Sequence, residues 1–273
     1  MGTSTSSKGG GAQSPFDPEW LDGVDWGSTD GAGDGGIEGA DSGDEGTTEP
    51  NTQAPLIPER RLAGARTAIS GALAGGGRDY IRSAARSMVN RGMGGASRAS
   101  RTMSATAQGA GALGQFLTQA REASDPRVID WVERARQAQL SANDLILEIV
   151  KHVIPSAGSV DEDSLQNAAA ETLSMLYEKN AEVDLFNLTD QQIASVVGFT
   201  VANDICNRID QLLGRSYEKL KYTPEKVQLV RNDIREYVHA TVRLELEKLG
   251  PRPLDTNGLA RDVLKSTLEV FGE

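Results

Sequence analysis

From about Ala112 onward, apolar residues recur at steps of three and four, which is the spacing of an amphipathic α-helix. Helix-start and helix-stop signals divide this pattern into segments. The predicted starts are Asp125-Pro126, Ser159-Val160-Asp161-Glu162, Thr189-Asp190-Gln191-Gln192 and Thr223-Pro224, and the predicted stops are Pro155, Gly214 and Gly250-Pro251. A last helix carries apolar positions from Leu259 to Phe271. Because no stretch of the sequence alternates with a period of two, we expect an all-α domain over residues 119–273.

The apolar pattern is weaker over residues 60–118, where alanine, glycine and arginine dominate. Arg78, Arg82 and Arg86 fall at positions i, i+4 and i+8 and predict one basic stripe on a helix. The larger apolar residues are too sparse to predict a wide hydrophobic face; they are Leu73, Ile81, Met88 and Val89. Glycines at 75–77 and 92–95 should interrupt any long helix. We therefore expect a basic segment of short, conditional helices that form on contact with something else.

Residues 1–59 show no helical period and are rich in glycine and acid. They carry one basic and twelve acidic residues, a charge of −11 that equals the formal net charge of the whole chain. Residues 60–120 carry nine arginines against one acid, and residues 121–273 carry a charge of −8. Since an acidic, glycine-rich segment cannot bury enough apolar surface to offset its chain entropy, we expect residues 1–59 to form a disordered acidic tail.

Three large aromatic residues lie within this predicted tail. Phe16, Trp20 and Trp26 are interleaved with acidic residues, in the segment least able to bury them. Exposed aromatic residues in a disordered acidic segment are typical of a docking motif that becomes ordered on a partner. The alternative, in which the two tryptophans fold back on the helical domain of the same chain, has equal support from the sequence.

Few residues are available for catalysis or metal binding. Cys206 is the only cysteine, which excludes a disulfide framework, and the two histidines, His152 and His239, are too few for a typical zinc or haem site. All three lie within predicted helices, where packing or surface exposure accounts for them. The sequence predicts a non-catalytic protein with no metal and no cofactor. It contains no apolar run of membrane-spanning length and no signal sequence at its start, so we expect a cytoplasmic protein without membrane contact.

The basic segment has nucleic-acid character, because guanidinium groups pair with phosphates. Its candidate binding residues are Arg60, Arg61, Arg66, Arg82, Arg86, Arg91, Arg98 and Arg101. Only two aromatic residues, Tyr80 and Phe116, accompany them, so stacking on bases has little support. An acidic protein surface is the favoured partner of this segment. The alternative is a nucleic acid, bound by an adaptor that uses residues 60–101.

Three motifs taken together carry a family resemblance. They are the opening Met-Gly-Thr-Ser-Thr-Ser-Ser, the stretch Pro-Leu-Ile-Pro-Glu-Arg-Arg at 55–61 and the run Arg-Gly-Met-Gly-Gly at 91–95. With these motifs the sequence resembles the QatB component of the Qat anti-phage defence systems, over about its first 120 residues. The resemblance implies three partners: an ATPase, a QueC-like enzyme related to deazaguanine synthases, and a TatD-like nuclease. It further implies that the protein is a scaffold and a substrate in this system.

The resemblance also implies a modified amino terminus. QueC-type enzymes activate a carboxylated deazaguanine with ATP, and the α-amine of Gly2, exposed by removal of Met1, would accept the group covalently. An α-amine has a reference pKa of about 8, so its nucleophilic free-base form is more populated at neutral pH than that of lysine. The recognition motif would be Thr3, Ser4, Thr5, Ser6 and Ser7. The same opening residues match an N-myristoylation pattern, and an internal glycine of 9–11 is the less favoured acceptor.

Overall fold

A computed structural model describes residues 61–155, 158–219, 222–250 and 254–273, all within one unit, Pro55–Glu273. Over these residues the chain is helical and contains no strand, which confirms the predicted all-α fold. The helices are α1 Ala63–Gly71, α2 Arg78–Ser87, α3 Ala96–Thr102, α4 Ser104–Glu122, α5 Pro126–Gln137, α6 Ala142–Val153, α7 Val160–Lys179, α8 Asp190–Lys219, α9 Pro224–Leu249 and α10 Thr256–Gly272. Short π-helical turns, Ala72–Gly76 and Met88–Gly92, follow α1 and α2.

Local hydrogen bonds explain the starts of the later helices. At α7, the backbone N–H of Glu162 donates to Ser159 Oγ, and the backbone N–H of Ser159 donates to the Glu162 carboxylate. At α8, the backbone N–H of Gln192 donates to Thr189 Oγ1, and the backbone N–H of Thr189 donates to Gln192 Oε1. These reciprocal bonds satisfy N–H groups that a first helical turn leaves without partners. The predicted starts at Asp125-Pro126 and Thr223-Pro224 are also confirmed.

Two predicted boundaries are wrong. The stretch between Asp125-Pro126 and Pro155 is not one run but two helices, because Gln139 adopts a left-handed φ of 48° and Ser141 caps the start of α6. Helix α8 does not stop at Gly214 but continues to Lys219. A lone glycine costs a helix only about 1 kcal/mol relative to alanine, which is too little to end it.

The short helices predicted for the basic segment exist, and the residues they contact belong to the same chain. Ile69 of α1, Ile81 of α2 and Val89 of the turn after it are buried in a core shared with α8, α9 and α10. The expectation that this segment lacks a wide apolar face is wrong, because alanines complete the face. The buried alanines are Ala65, Ala68, Ala72, Ala84, Ala85 and Ala99.

The described helices enclose two hydrophobic cores. The first joins α1, α2, α3 and the start of α4 with the middle of α8 and with α9 and α10. The second joins the end of α4 with α5, α6, α7, residues 183–188 and the start of α8. The division placed at residue 118 from the sequence falls inside α4, and both α4 and α8 contribute to the two cores.

Helices α4, α8 and α10 approach one another closely at Gly114. A Cβ atom on Gly114 would lie 2.5 Å from Cγ2 of Val197 on α8 and 2.8 Å from Cγ2 of Thr256 on α10. One turn earlier, a Cβ atom on Gly111 would lie 3.0 Å from Cα of Asn257. Since these distances leave no room for a methyl group, glycine allows α10 to pack directly on α4.

Candidate functional site

Many of the predicted site residues lie outside the described residues. Gly2, the recognition motif at 3–7 and Arg60 belong to the stretch 1–60, as do the three aromatic residues Phe16, Trp20 and Trp26. The predictions of modification, recognition and aromatic docking therefore remain predictions. The described site residues are the other arginines of the basic segment: Arg61, Arg66, Arg82, Arg86, Arg91, Arg98 and Arg101.

These arginines lie at the surface. On α2, Arg82 and Arg86 are exposed while Ile81 and Ala85 of the same helix are buried. Arg78 pairs with Glu236 of α9 across 3.5 Å, and both side chains are so exposed that the pair contributes little stability. Within the described part of the chain, no ion pair involves Arg66, Arg82, Arg86, Arg91, Arg98 or Arg101. The stripe predicted on α2 therefore lies at the surface, and Arg78 is its one member with an ion pair to another described residue.

Arg101 lies in a groove that the sequence did not reveal. The groove has a volume of about 510 Å³ and runs between α3, α4 and α10. Arg261 and Lys265 of α10 also line it, and the buried Ala107 and Leu264 form its base. The other lining residues are uncharged and polar: Ser100, Ser104, Gln108 and Asn257. The structure therefore brings one predicted arginine together with two cations that were not predicted.

Within the described part of the chain, few acidic side chains lie near the charges of this basic groove. Arg261 Nε donates a hydrogen bond to the backbone carbonyl of Asn257 at 3.2 Å, which helps to orient the guanidinium group. Lys265 lies 3.9 Å from the Glu269 carboxylate, and both side chains are exposed. No carboxylate lines the groove itself among the described residues. The arrangement can hold an anionic group such as a phosphate or a carboxylate.

A second polar cluster is buried against α8. The Asp204 carboxylate is fully buried and accepts hydrogen bonds from Thr106 Oγ1 at 2.5 Å, from Ser164 Oγ at 2.6 Å and from Arg208 Nε at 3.0 Å. Arg208 Nη1 also donates to the Asp161 carboxylate at 3.0 Å. A buried charge is tolerated only with such partners, so this cluster ties α4, α7 and α8 together at one point.

His239 of α9 occupies a third polar site, next to Asn203 of α8. Its Nε2 lies 2.7 Å from Asn203 Oδ1, while Asn203 Nδ2 donates to Thr172 Oγ1 at 3.0 Å. Because the Asn203 oxygen is the acceptor, Nε2 carries the hydrogen and Nδ1 of the neutral ring is an acceptor. Burial, followed by the positive charges of Arg235, Arg243 and Lys179, lowers the pKa of His239 to about 4.

The predicted packing roles of Cys206 and His152 are confirmed. Burial raises the pKa of the Cys206 thiol to about 12, so the thiol is protonated at neutral pH. The exposed ring of His152 stacks on Trp131 with centroids 5.1 Å apart. Among the described residues, no three His, Cys, Asp or Glu side chains are grouped so that they could hold a metal ion. No described helix combines the length and the hydropathy needed to cross a bilayer.

Comparison with known proteins gave one match. The model of a family described as Qat anti-phage system associated protein QatB matches residues 94–271, which is well over half of the chain. The matched stretch contains the basic groove, the Asp204 cluster and His239. The search of curated proteins and the search of solved structures returned no match.

Proposed function

The chain belongs to the QatB family of proteins associated with the Qat anti-phage system, and from this premise we propose that it acts in the defence complex as a non-catalytic scaffold and substrate subunit. The family match over residues 94–271 carries the proposal, because a protein associated with a defence system acts together with the other components of that system. The proposed partners are the QueC-like enzyme, the ATPase and the TatD-like nuclease that the sequence resemblance implies.

The chemistry of the described interior supports a scaffold. The Cys206 thiol has a raised pKa, so little of it is the thiolate that a nucleophile requires. His239 uses its Nε2–H to hold Asn203, an amide that serves as neither nucleophile nor acid. The described residues offer surfaces instead, among them the arginine stripe of α2 and the basic groove.

The substrate part of the proposal concerns Gly2. The QueC-like partner would join a deazaguanine to the α-amine of Gly2: the amine attacks the activated carbonyl, an amide bond forms and the activating group leaves. Intact-mass and amino-terminal peptide spectrometry of the chain, expressed with and without the partner enzyme, tests this step. We expect the mass of the peptide that begins at Gly2 to increase only when the partner is present.

A removable extension provides the matched control for this test. In a version that carries a cleavable peptide ahead of Gly2, the α-nitrogen of Gly2 is part of an amide bond. Cleavage of the peptide restores the free amine. The uncleaved version should remain unmodified and the cleaved version should accept the group. An unmodified Gly2 peptide from the co-expressed complex, or full phage defence by the uncleaved version, would contradict the proposal.

A nucleic-acid adaptor is the second candidate function, and it is favoured by the arginines that have no ion pair with any described residue. Guanidinium groups that lack carboxylate partners are available to phosphates, and the basic groove adds Arg261 and Lys265 to Arg101. In this alternative, affinity for a DNA or RNA oligonucleotide falls steeply between low and physiological salt.

Charge reversal distinguishes the two candidate functions. A plot of log affinity against log salt concentration has a negative slope. The adaptor function predicts that Arg101→Glu combined with Arg261→Glu makes this slope shallower, by about one unit for each phosphate that the groove no longer binds. Arg127→Glu on α5 is the matched control, because Arg127 is exposed and lies outside the groove. If the double variant binds oligonucleotide as the control does, the adaptor function is wrong for this groove. Filter-binding titrations at several salt concentrations give the measurement.

A further inference from the structure

Two adjoining hollows lie on the face formed by α7, α8 and α9, apart from the basic groove. The smaller, of about 250 Å³, lies between α7 and α8, and the apolar part of its lining includes Leu176, Val196 and Phe199. The larger, of about 610 Å³, lies along α9 and is lined by His239 and by several charged residues. Met175 of α7 lines both hollows, so they form one continuous surface.

The larger hollow carries an excess of positive charge. Arg78, Arg235 and Arg243 line it, and Glu236 is its one acidic lining residue within the described part of the chain. Arg235 pairs with Glu171, and Arg78 pairs weakly with Glu236. For Arg243 the structure gives no ion pair with any described residue.

Lys179, at the end of α7, adds a further cation at the rim of the smaller hollow. It also lacks an ion pair with any described residue, and its Nζ lies 5.9 Å from the centroid of the Phe199 ring. Burial is the main cause of the depressed pKa of His239, and the charges of Arg235, Arg243 and Lys179 lower this pKa further. The face therefore attracts negative charge and also offers apolar side chains in the smaller hollow.

We propose that these adjoining hollows, centred on Phe199 and His239, form a docking site for an acidic peptide segment of a partner protein. The segment would place a large apolar side chain in the smaller hollow, one carboxylate beside Lys179 at the rim of that hollow and another beside Arg243 in the larger one. The docking proposal depends on the proposed scaffold function in one respect, since it requires a protein partner.

The lining of the hollows favours a peptide over a nucleotide. The centroids of the His239 and Phe199 rings lie 5.3 Å apart, and Lys179 lies over the Phe199 ring. Much of the Phe199 surface on which a base would stack is therefore already in contact with other side chains. The rim of the smaller hollow carries Gln191 and Ser195, which suit hydrogen bonds with a peptide backbone. His239 Nδ1 adds an acceptor for a backbone or indole N–H.

Fluorescence anisotropy with a defined probe tests the docking site on the full chain. The probe is a fluorescein-labelled peptide in which a Trp-Leu pair is flanked on both sides by glutamates. A second peptide replaces every glutamate by glutamine, and oligothymidylate represents nucleic acid. The protein variants are Arg243→Glu and Lys179→Glu, with Arg127→Glu as the control for an exposed arginine outside the hollows.

We expect the acidic peptide to bind saturably and each variant in the hollows to weaken it by about tenfold or more, while the control leaves it unchanged. The glutamine peptide should bind at least about tenfold more weakly than the acidic one. Nuclear magnetic resonance titration of His239 should show its pKa rising in the complex, because nearby carboxylates stabilise the imidazolium.

Three results would overturn the docking proposal. They are the absence of saturable binding, equal binding to wild type and the Arg243→Glu variant, and stronger competition by oligothymidylate than by unlabelled acidic peptide. Co-purification with the Qat partners is a separate measurement, so a failed docking test leaves the scaffold function standing. Loss of co-purification with intact peptide binding would instead contradict the scaffold function.

Discussion

Replacing Asp204 by alanine should lower the free energy of unfolding by about 3–5 kcal/mol. The carboxylate is fully buried and accepts hydrogen bonds from Thr106, Ser164 and Arg208. Its removal leaves two buried hydroxyl groups without their acceptor and a nearly buried guanidinium group with only part of its charge balanced. Urea unfolding followed by circular dichroism measures the loss.

Asp161→Ala is the matched control for this prediction. Asp161 also binds Arg208, at 3.0 Å, but its side chain is 55% exposed. Water can replace its hydrogen bond, so the expected loss is about 1 kcal/mol or less. Equal losses for the two variants would contradict the assignment of Asp204 as the central acceptor of this cluster. An Asp204→Ala variant as stable as wild type would show that the helices can repack without it.

Most of the later fold could be predicted because its signals are local. The starts of α7 and α8 depend on capping residues only three positions apart, and the structure contains both pairs of bonds. The same kind of signal was missed at Ser141, which accepts a hydrogen bond from the backbone N–H of Asp144. Recognising it would have divided the stretch before Pro155 into α5 and α6.

The packing of the basic segment could not be predicted from side-chain size. Alanine gives little hydrophobic signal in a sequence, yet Ala65 and Ala99 are fully buried. Val263 and Leu268 of α10, which belong to the same core, lie at the other end of the chain. Whether an alanine-rich helix packs or stays exposed depends on whether a distant helix can approach it closely, which a local pattern does not contain.

The composition of the basic groove shows the same limit. Arg101 belongs to a stretch whose charge is evident from the sequence, whereas Arg261 and Lys265 lie among ordinary charged positions of the last helix. The close contact of α4 with α10 at Gly111 and Gly114 places them in one groove. Gly111 and Gly114 are the sequence feature that indicates this close contact, since they lie inside a helix, where alanine is normally favoured.

The family model matches a different stretch of the chain from the motifs that carry the family resemblance. Those motifs lie mainly before residue 94, and the family model matches residues 94–271. The apolar periodicity of the matched helices is shared by many all-α folds, so it predicts the fold and carries no family information by itself.

Acidification should destabilise the protein through His239. The folded state lowers its pKa from 6.5 to about 4, because of burial and then the charges of Arg235, Arg243 and Lys179. The unfolded chain therefore binds a proton that the folded chain does not. The stability contributed by the neutral ring is fully present above pH 6.5 and is lost as pH falls from 6.5 toward 4. Between about pH 7.5 and about pH 5 this loss amounts to about 2 kcal/mol.

His239→Gln isolates this contribution. The glutamine amide can donate to Asn203 Oδ1 as His239 Nε2 does, and it does not titrate. Urea unfolding of both proteins at about pH 7.5 and about pH 5 should show that the variant lacks about 2 kcal/mol of the pH-dependent loss seen in the wild type. His152→Gln, which replaces the exposed histidine of α6, is the control variant. If His239→Gln keeps the full wild-type loss, the neutral imidazole held by Asn203 is not the group that responds.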